Sequence, residues 1–153
     1  MRLEGVATRS IWLEPDGWSV GILDQRQLPW RVERLTLRTV EDAAEAIADM
    51  ATRGAPLIGA VAAYGLALAL RADPSDTALA AAFDRLAAAR PTAVNLRWAV
   101  ARVRAAVRPV PPSGRAAAAY VEAAAICDED EAMNRAIGDA GLPLIRALAE
   151  RKG

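Results

Sequence analysis

Pro56-Leu57-Ile58-Gly59-Ala60-Val61-Ala62-Ala63-Tyr64-Gly65-Leu66-Ala67-Leu68-Ala69-Leu70 is the stretch on which the fold turns. It is apolar on every side, about 15 residues long, and broken by two glycines. A membrane-spanning helix needs about 20 apolar residues. The run therefore reads as a helix buried in a protein core, and no membrane segment is expected. Proline suits the first turn of a helix, where its missing N–H removes a donor that has no partner anyway. The helix is expected to begin at Pro56 and to run to about Arg71.

A helix that is apolar all round must be covered on all sides, and the flanking sequence supplies the cover. On its N-terminal side, Thr39 is a good N-cap with Asp42 at the reciprocal capping position. Val40, Ala43, Ala44, Ile47 and Met50 then recur at helical spacing, which predicts a helix ending near Gly54. On its C-terminal side, Asp73-Pro74-Ser75-Asp76 is a break, and a helix is expected over about 77–89. Pro91-Thr92 opens a fourth, with Val94, Trp98 and Val103 on its apolar side. After Pro109–Pro112, Ser113 is expected to cap a fifth helix to about Ile137. Gly138 and Gly141 interrupt it, and a short last helix runs to about Glu150.

The residues before Thr39 have a different pattern. Ser10-Ile11-Trp12-Leu13, the turn Glu14-Pro15-Asp16-Gly17 and Trp18 to Asp24 read as a β-hairpin. Val32, Leu35 and Leu37 suggest a third strand, with Leu28-Pro29 at the connection. The expected fold class is α+β: a small antiparallel sheet of about three strands over residues 8–38, then a mostly helical bundle of five to six helices over 40–150. The chain of 153 residues forms one domain. Trp12, Trp18, Trp30 and Trp98 are expected to pack between sheet and helices.

Composition excludes several functions. Lys plus Arg and Asp plus Glu number 19 each, so no charge excess points to nucleic acid or an acidic membrane. Histidine is absent and Cys127 is the single cysteine, which leaves no zinc ligand set and no internal disulfide. Met1 to Ser10 carries no basic-then-apolar leader, and the expected compartment is the cytoplasm. Cys127 precedes Asp128-Glu129-Asp130-Glu131, and neighbouring carboxylates disfavour a thiolate. It reads as inert, and the acidic run as a solvated helix face.

Two corners are chemically unusual. In Arg53-Gly54-Ala55-Pro56-Leu57-Ile58-Gly59 an arginine stands beside a glycine turn that opens on a helix N-terminus. Outward N–H groups and the positive end of the helix dipole favour an anion there, the guanidinium fork matches phosphate oxygens, and Gly54 allows close backbone approach. Arg90-Pro91-Thr92-Ala93-Val94-Asn95 repeats the arrangement, with Asn95 able to bond a ligand or its own backbone. The plain alternative at each is a capping corner with a solvated arginine. Two such corners can converge on one anion, which sequence alone does not show. Asp24-Gln25-Arg26-Gln27 is a polar cluster that reads as a turn.

Taken together, Leu23-Asp24-Gln25 through Leu28-Pro29, Thr39-Val40-Glu41, Arg53 to Gly59, Ala62-Ala63-Tyr64-Gly65, Arg90 to Leu96 with Trp98-Ala99, and Asn134-Arg135-Ala136-Ile137-Gly138 resemble methylthioribose-1-phosphate isomerase. The family converts 5-methylthioribose 1-phosphate to 5-methylthioribulose 1-phosphate in methionine salvage, with no metal or organic cofactor. The resemblance implies that Arg53, Gly54, Ala55 and Arg90 contact the sugar-phosphate substrate, chiefly its phosphate. It also implies a homodimer and a Rossmann-like C-terminal domain that carries the catalytic cysteine and aspartate. Cys127 does not match that cysteine, so no catalytic residue is expected in this chain, which reads as the front part of such an enzyme ending at Arg151-Lys152-Gly153. Regulatory subunits of the translation initiation guanine-nucleotide exchange factor, which are binding proteins of the same fold, and ribose-1,5-bisphosphate isomerase are the related alternatives.

Overall fold

The turn at Glu14–Ser19 shows how the sheet is closed locally. Asp16 Oδ1 accepts hydrogen bonds from the N–H groups of Trp18 (2.9 Å) and Ser19 (2.8 Å), and Gly17 takes φ +78°. This turn joins β3 (Ile11–Leu13) to β4 (Val20–Asp24), which pairs on its other edge with β5 (Glu33–Leu37). The three-stranded sheet is antiparallel with Ile11 opposite Ile22 and Val20 opposite Leu37. The computed structural model describes residues 2–3 and 5–151. Within them a further pair, β1 (Arg2–Leu3) and β2 (Val6–Ala7), precedes the region where strands were expected. Lys152 and Gly153, part of the expected boundary, lie outside the described residues.

Five helices follow: α1 (Val40–Ala48), α2 (Ala55–Ala72), α3 (Asp76–Ala89), α4 (Val94–Val107) and α5 (Pro112–Glu150). The α+β expectation holds. α2 is central, packing on α1, α3, α4 and α5. Ile58, Val61, Leu66 and Leu70 are buried on its different faces, and each contributes roughly 1.5–3 kcal/mol relative to exposure. α2 is long and apolar enough to cross a membrane by composition, but it is largely buried inside the bundle. The capping box of α1 forms as expected: Thr39 Oγ1 accepts from the Asp42 N–H (3.1 Å) while Asp42 Oδ2 accepts from the Thr39 N–H (3.0 Å).

Several expectations are corrected. α1 stops at Asp49 rather than near Gly54, because Met50 turns to φ 58° and points out exposed instead of continuing the apolar face. α4 starts at Val94, and its buried side is Leu96, Ala99, Val100, Val103 and Val107. Val94 and Trp98 are exposed, and so is Trp30 at 88%. Only part of the tryptophan expectation stands. Trp18 packs against the core with the Arg71 guanidinium 3.9 Å from its ring centroid, and Trp12 stacks with Arg34. α5 is one helix: Ser113 lies inside it rather than capping it, and Gly138, Gly141 and Pro143 do not break it.

α5 is fastened to the rest by polar contacts that local sequence patterns did not suggest. Buried Arg115 donates to the carbonyls of Val110 (3.0 Å) and Pro74 (2.9 Å) and pairs with Asp76 (2.8 Å). Tyr120 donates its hydroxyl to the Trp18 carbonyl at 2.7 Å. The acidic run is paired rather than merely solvated. Arg9 bridges Asp128 and Glu131, and Arg102 bridges Glu122 and Glu129.

Candidate functional site

The connections at 73–75 and 90–93 are short, so α3 runs against both α2 and α4, and the starts of α2 and α4 share one end of the bundle. Gly59, one turn into α2, makes this proximity possible. A Cβ there would sit 2.9 Å from the backbone oxygen of Asn95 in the first turn of α4. The two corners singled out by sequence are therefore neighbours, offset by about one helical turn.

Both helix starts lack a side-chain cap, whereas α1 and α3 are capped by Thr39 and Ser75. α5 also lacks one, but begins on Pro111-Pro112. At α2 the N-cap is Gly54 with φ 95° and ψ 125°, and Pro56 carries no N–H, so Ala55 and Leu57 are the donors left without intrahelical partners. At α4 the corresponding N–H groups belong to Val94, Asn95 and Leu96. Neither first turn holds an acidic residue, while α1 has Glu41 and Asp42 and α3 has Asp76. The dipole of α2 and α4 is thus not offset by their own carboxylates, which suits an anion from solution.

Arg53, Gly54 and Ala55 are exposed and Arg90 is half-buried. Arg53 donates from Nη2 to the carbonyl of Gln25, and the Gln25 N–H donates to the Ala51 carbonyl at 2.9 Å. The cluster that sequence read as a turn is a turn, and it is also the shelf on which Arg53 rests. Asp24 within it is buried and takes both Nε (2.9 Å) and Nη2 (2.7 Å) of Arg26. Those hydrogen bonds hold its carboxyl below the ordinary value of 3.8. With its charge met by Arg26, Asp24 only partly offsets the positive charge of Arg53. The Arg90 guanidinium enters no hydrogen bond or ion pair among the described residues, and its backbone carbonyl accepts from Ala93 (3.0 Å).

A cleft lies beside this end and takes in the first turn of α2. It has a volume of about 510 Å³ and is lined by Ile11, Pro56, Leu57, Cys127, Asp130 and Asn134 among others, and none of Arg53, Gly54, Ala55 or Arg90 lines it. Cys127 is half-buried there, and burial, with help from Asp128 and Asp130, pushes its thiol up to about 11. A thiol with so raised a value stays protonated at pH 7. Among the described residues no group of three His, Cys, Asp or Glu side chains is placed to hold a metal ion.

The chain is similar to known proteins along most of its length. The family model for the initiation factor 2 subunit family matches residues 51–150, which include both corners. A methylthioribose-1-phosphate isomerase of Acidiphilium cryptum is 60% identical over 98% of this chain, and the chain spans 41% of that relative's length. Among solved structures, 5-methylthioribose 1-phosphate isomerase from Pyrococcus horikoshii is 35% identical with a TM-score of 0.72, covering 80% of this chain and 36% of that one. The translation initiation factor eIF-2B subunit delta from A. fulgidus is also 35% identical, with a TM-score of 0.74, covering 81% of this chain and 38% of that one. The chain belongs to the initiation factor 2 subunit family, and within its length it is similar to methylthioribose-1-phosphate isomerases and to a subunit of translation initiation factor eIF-2B.

Proposed function

We propose that this chain is the sugar-phosphate-binding part of an aldose–ketose isomerase that converts 5-methylthioribose 1-phosphate to 5-methylthioribulose 1-phosphate. The observation that carries the reading is the uncapped start of α2, with Gly54 at positive φ and Arg53 beside it, next to an equally uncapped start of α4 preceded by Arg90. On this reading the phosphate accepts hydrogen bonds from the N–H groups of Ala55 and Leu57 and from the two guanidinium groups. Arg53 is already oriented by Gln25; Arg90 turns onto the anion when it arrives. The similarity to isomerases at up to 60% identity supports the substrate assignment. A cytoplasmic homodimer whose Rossmann-like second domain supplies the acid–base residues completes the proposal. The 153 residues alone are then expected to bind the substrate and to give no turnover.

Inorganic phosphate titrated into the chain tests the anion site. The amide resonances of Ala55 and Leu57, and those of Val94 to Leu96, are expected to shift saturably, and Arg53→Ala is expected to weaken binding roughly 10- to 100-fold through loss of a charge-assisted pair. Shifts scattered over the surface, or none, would sink the reading. The likeness to the eIF-2B subunit favours a second reading, a protein-binding module. A chain that ignores phosphate and sugar phosphate alike would point to it.

A further inference from the structure

Asp24 is a charged side chain in a place that charges avoid. It ends the central strand β4, and its side chain is only 3% exposed. Burying a carboxylate is costly unless it is paired and hydrogen-bonded. Its hydrogen bonds among the described residues go to one residue, Arg26. Oδ1 accepts from the Arg26 N–H (2.9 Å) and from Nε (2.9 Å), and Oδ2 accepts from Nη2 (2.7 Å). The backbone N–H is the informative donor. It belongs to the peptide between Gln25 and Arg26, and the carbonyl of that same peptide accepts from Arg53 Nη2. The peptide is planar and trans, so its N–H and C=O point in opposite directions. With the N–H held by Asp24, the C=O is aimed away from Asp24 and at Arg53. A carboxylate on the N–H also polarises the peptide and makes its oxygen a stronger acceptor.

The turn is braced on both sides of this peptide. The Gln25 N–H donates to the Ala51 carbonyl at 2.9 Å. Arg26 Nη1 lies 3.9 Å from Asp49, the residue that ends α1 and leads into 51–53. We infer that Asp24 is a positioning residue for the anion site: through the Gln25–Arg26 peptide it sets the direction in which Arg53 presents its guanidinium to the start of α2. The inference rests on the sugar-phosphate reading for its ligand, and Asp24 acts through Arg53 rather than by touching that ligand. The same clamp keeps Arg26 from competing for the anion, because its nitrogens are turned onto Asp24 and Asp49. Arg53 engages a neutral carbonyl instead, which leaves its charge for the phosphate. This role predicts a sign that charge alone does not. Removing a carboxylate close to Arg53 should strengthen anion binding by Coulomb attraction, whereas loss of positioning weakens it.

Phosphate titrations of the 153-residue chain, followed at the Ala55 and Leu57 amides, test it. The Tm of each variant confirms that it is folded at the titration temperature. Asp24→Asn keeps an oxygen for the Arg26 N–H and loses the charge, while Asp24→Ala loses both. The two variants remove the same charge, yet a graded loss of phosphate affinity is expected, roughly 3-fold for Asp24→Asn and roughly 10-fold for Asp24→Ala. Both losses should vanish in the Arg53→Ala background, which a general loosening of the fold would not produce. A second readout needs no anion. In the free chain, rotation of the Arg53 guanidinium about its Nε–Cζ bond, measured by NMR, should be faster in both variants than in the wild type. Unchanged or raised phosphate affinity in Asp24→Asn, a loss that persists without Arg53, or Arg53 rotation that is the same in all three chains would overturn the inference. If the wild type itself ignores phosphate, the sugar-phosphate reading fails, and the rotation of Arg53 alone decides whether Asp24 positions it.

Discussion

Gly54 carries the backbone geometry of the first corner at φ 95° and ψ 125°, a region that residues with a Cβ rarely occupy. No atom lies within 4 Å of where a Cβ would be, so the constraint is conformational and not one of space. Gly54→Ala is expected to lose about 1–3 kcal/mol in urea denaturation, and a loss under about 0.5 kcal/mol would show that the corner relaxes freely. Asp24 gives a pH-dependent prediction. Its folded value is depressed, first by the Arg26 hydrogen bonds, so its contribution to stability is present above the ordinary value of 3.8 and is lost as the pH falls through the lower folded value. The stability difference between wild type and Asp24→Asn should be full at pH 7 and should shrink below about pH 4. An equal difference at pH 7 and pH 3 would contradict this. That Arg53 and Gly54 stand at the start of a helix was legible because both are local signals, a charged side chain and a permissive residue before a helix. The role of Gln25 was not, because it supplies a backbone carbonyl from a turn 28 residues away in the chain, and a carbonyl carries no mark of residue type.

At the scale of elements, capping was readable where a side chain does it and misread where the backbone does. Thr39 caps α1 as its pattern predicts, whereas Ser113 sits inside α5, whose N-cap is Pro111. Thr39→Ala should therefore cost about 1 kcal/mol. Ser113→Ala should stay within about 0.5 kcal/mol, and urea midpoints of the two variants would reverse the assignment if their order were the opposite. The expected break at Gly138 and Gly141 failed because isolated glycines lower helix stability by only about 1 kcal/mol each, too little to end a helix whose first half is already nucleated and packed. Val94 and Trp98 were placed on the wrong face of α4 because in that amphipathic stretch the side that meets Gly59 is built from Leu96, Ala99, Val100 and Val103. Gly59 and Ala99 permit the close approach that brings the two helix starts together, and alanine gives little periodic signal.

At the scale of the molecule, the α+β order of sheet then bundle followed from the change of period near Thr39, and the apolar run of α2 identified the helix on which the others pack. The tertiary ties of α5, through Arg115, Tyr120 and the Arg9 and Arg102 bridges, join positions far apart in sequence and left no local trace. The arrangement leads to one claim: the Arg53 and Arg90 corners act on the same anion. A double-mutant cycle on 5-methylthioribose 1-phosphate binding to the 153-residue chain tests it most directly. The account predicts that Arg53→Ala and Arg90→Ala each weaken binding roughly 10- to 100-fold, and that the double variant departs from additivity by at least about 1 kcal/mol, as residues sharing one partner do. Strictly additive losses, or a substrate affinity that neither substitution changes, would contradict it.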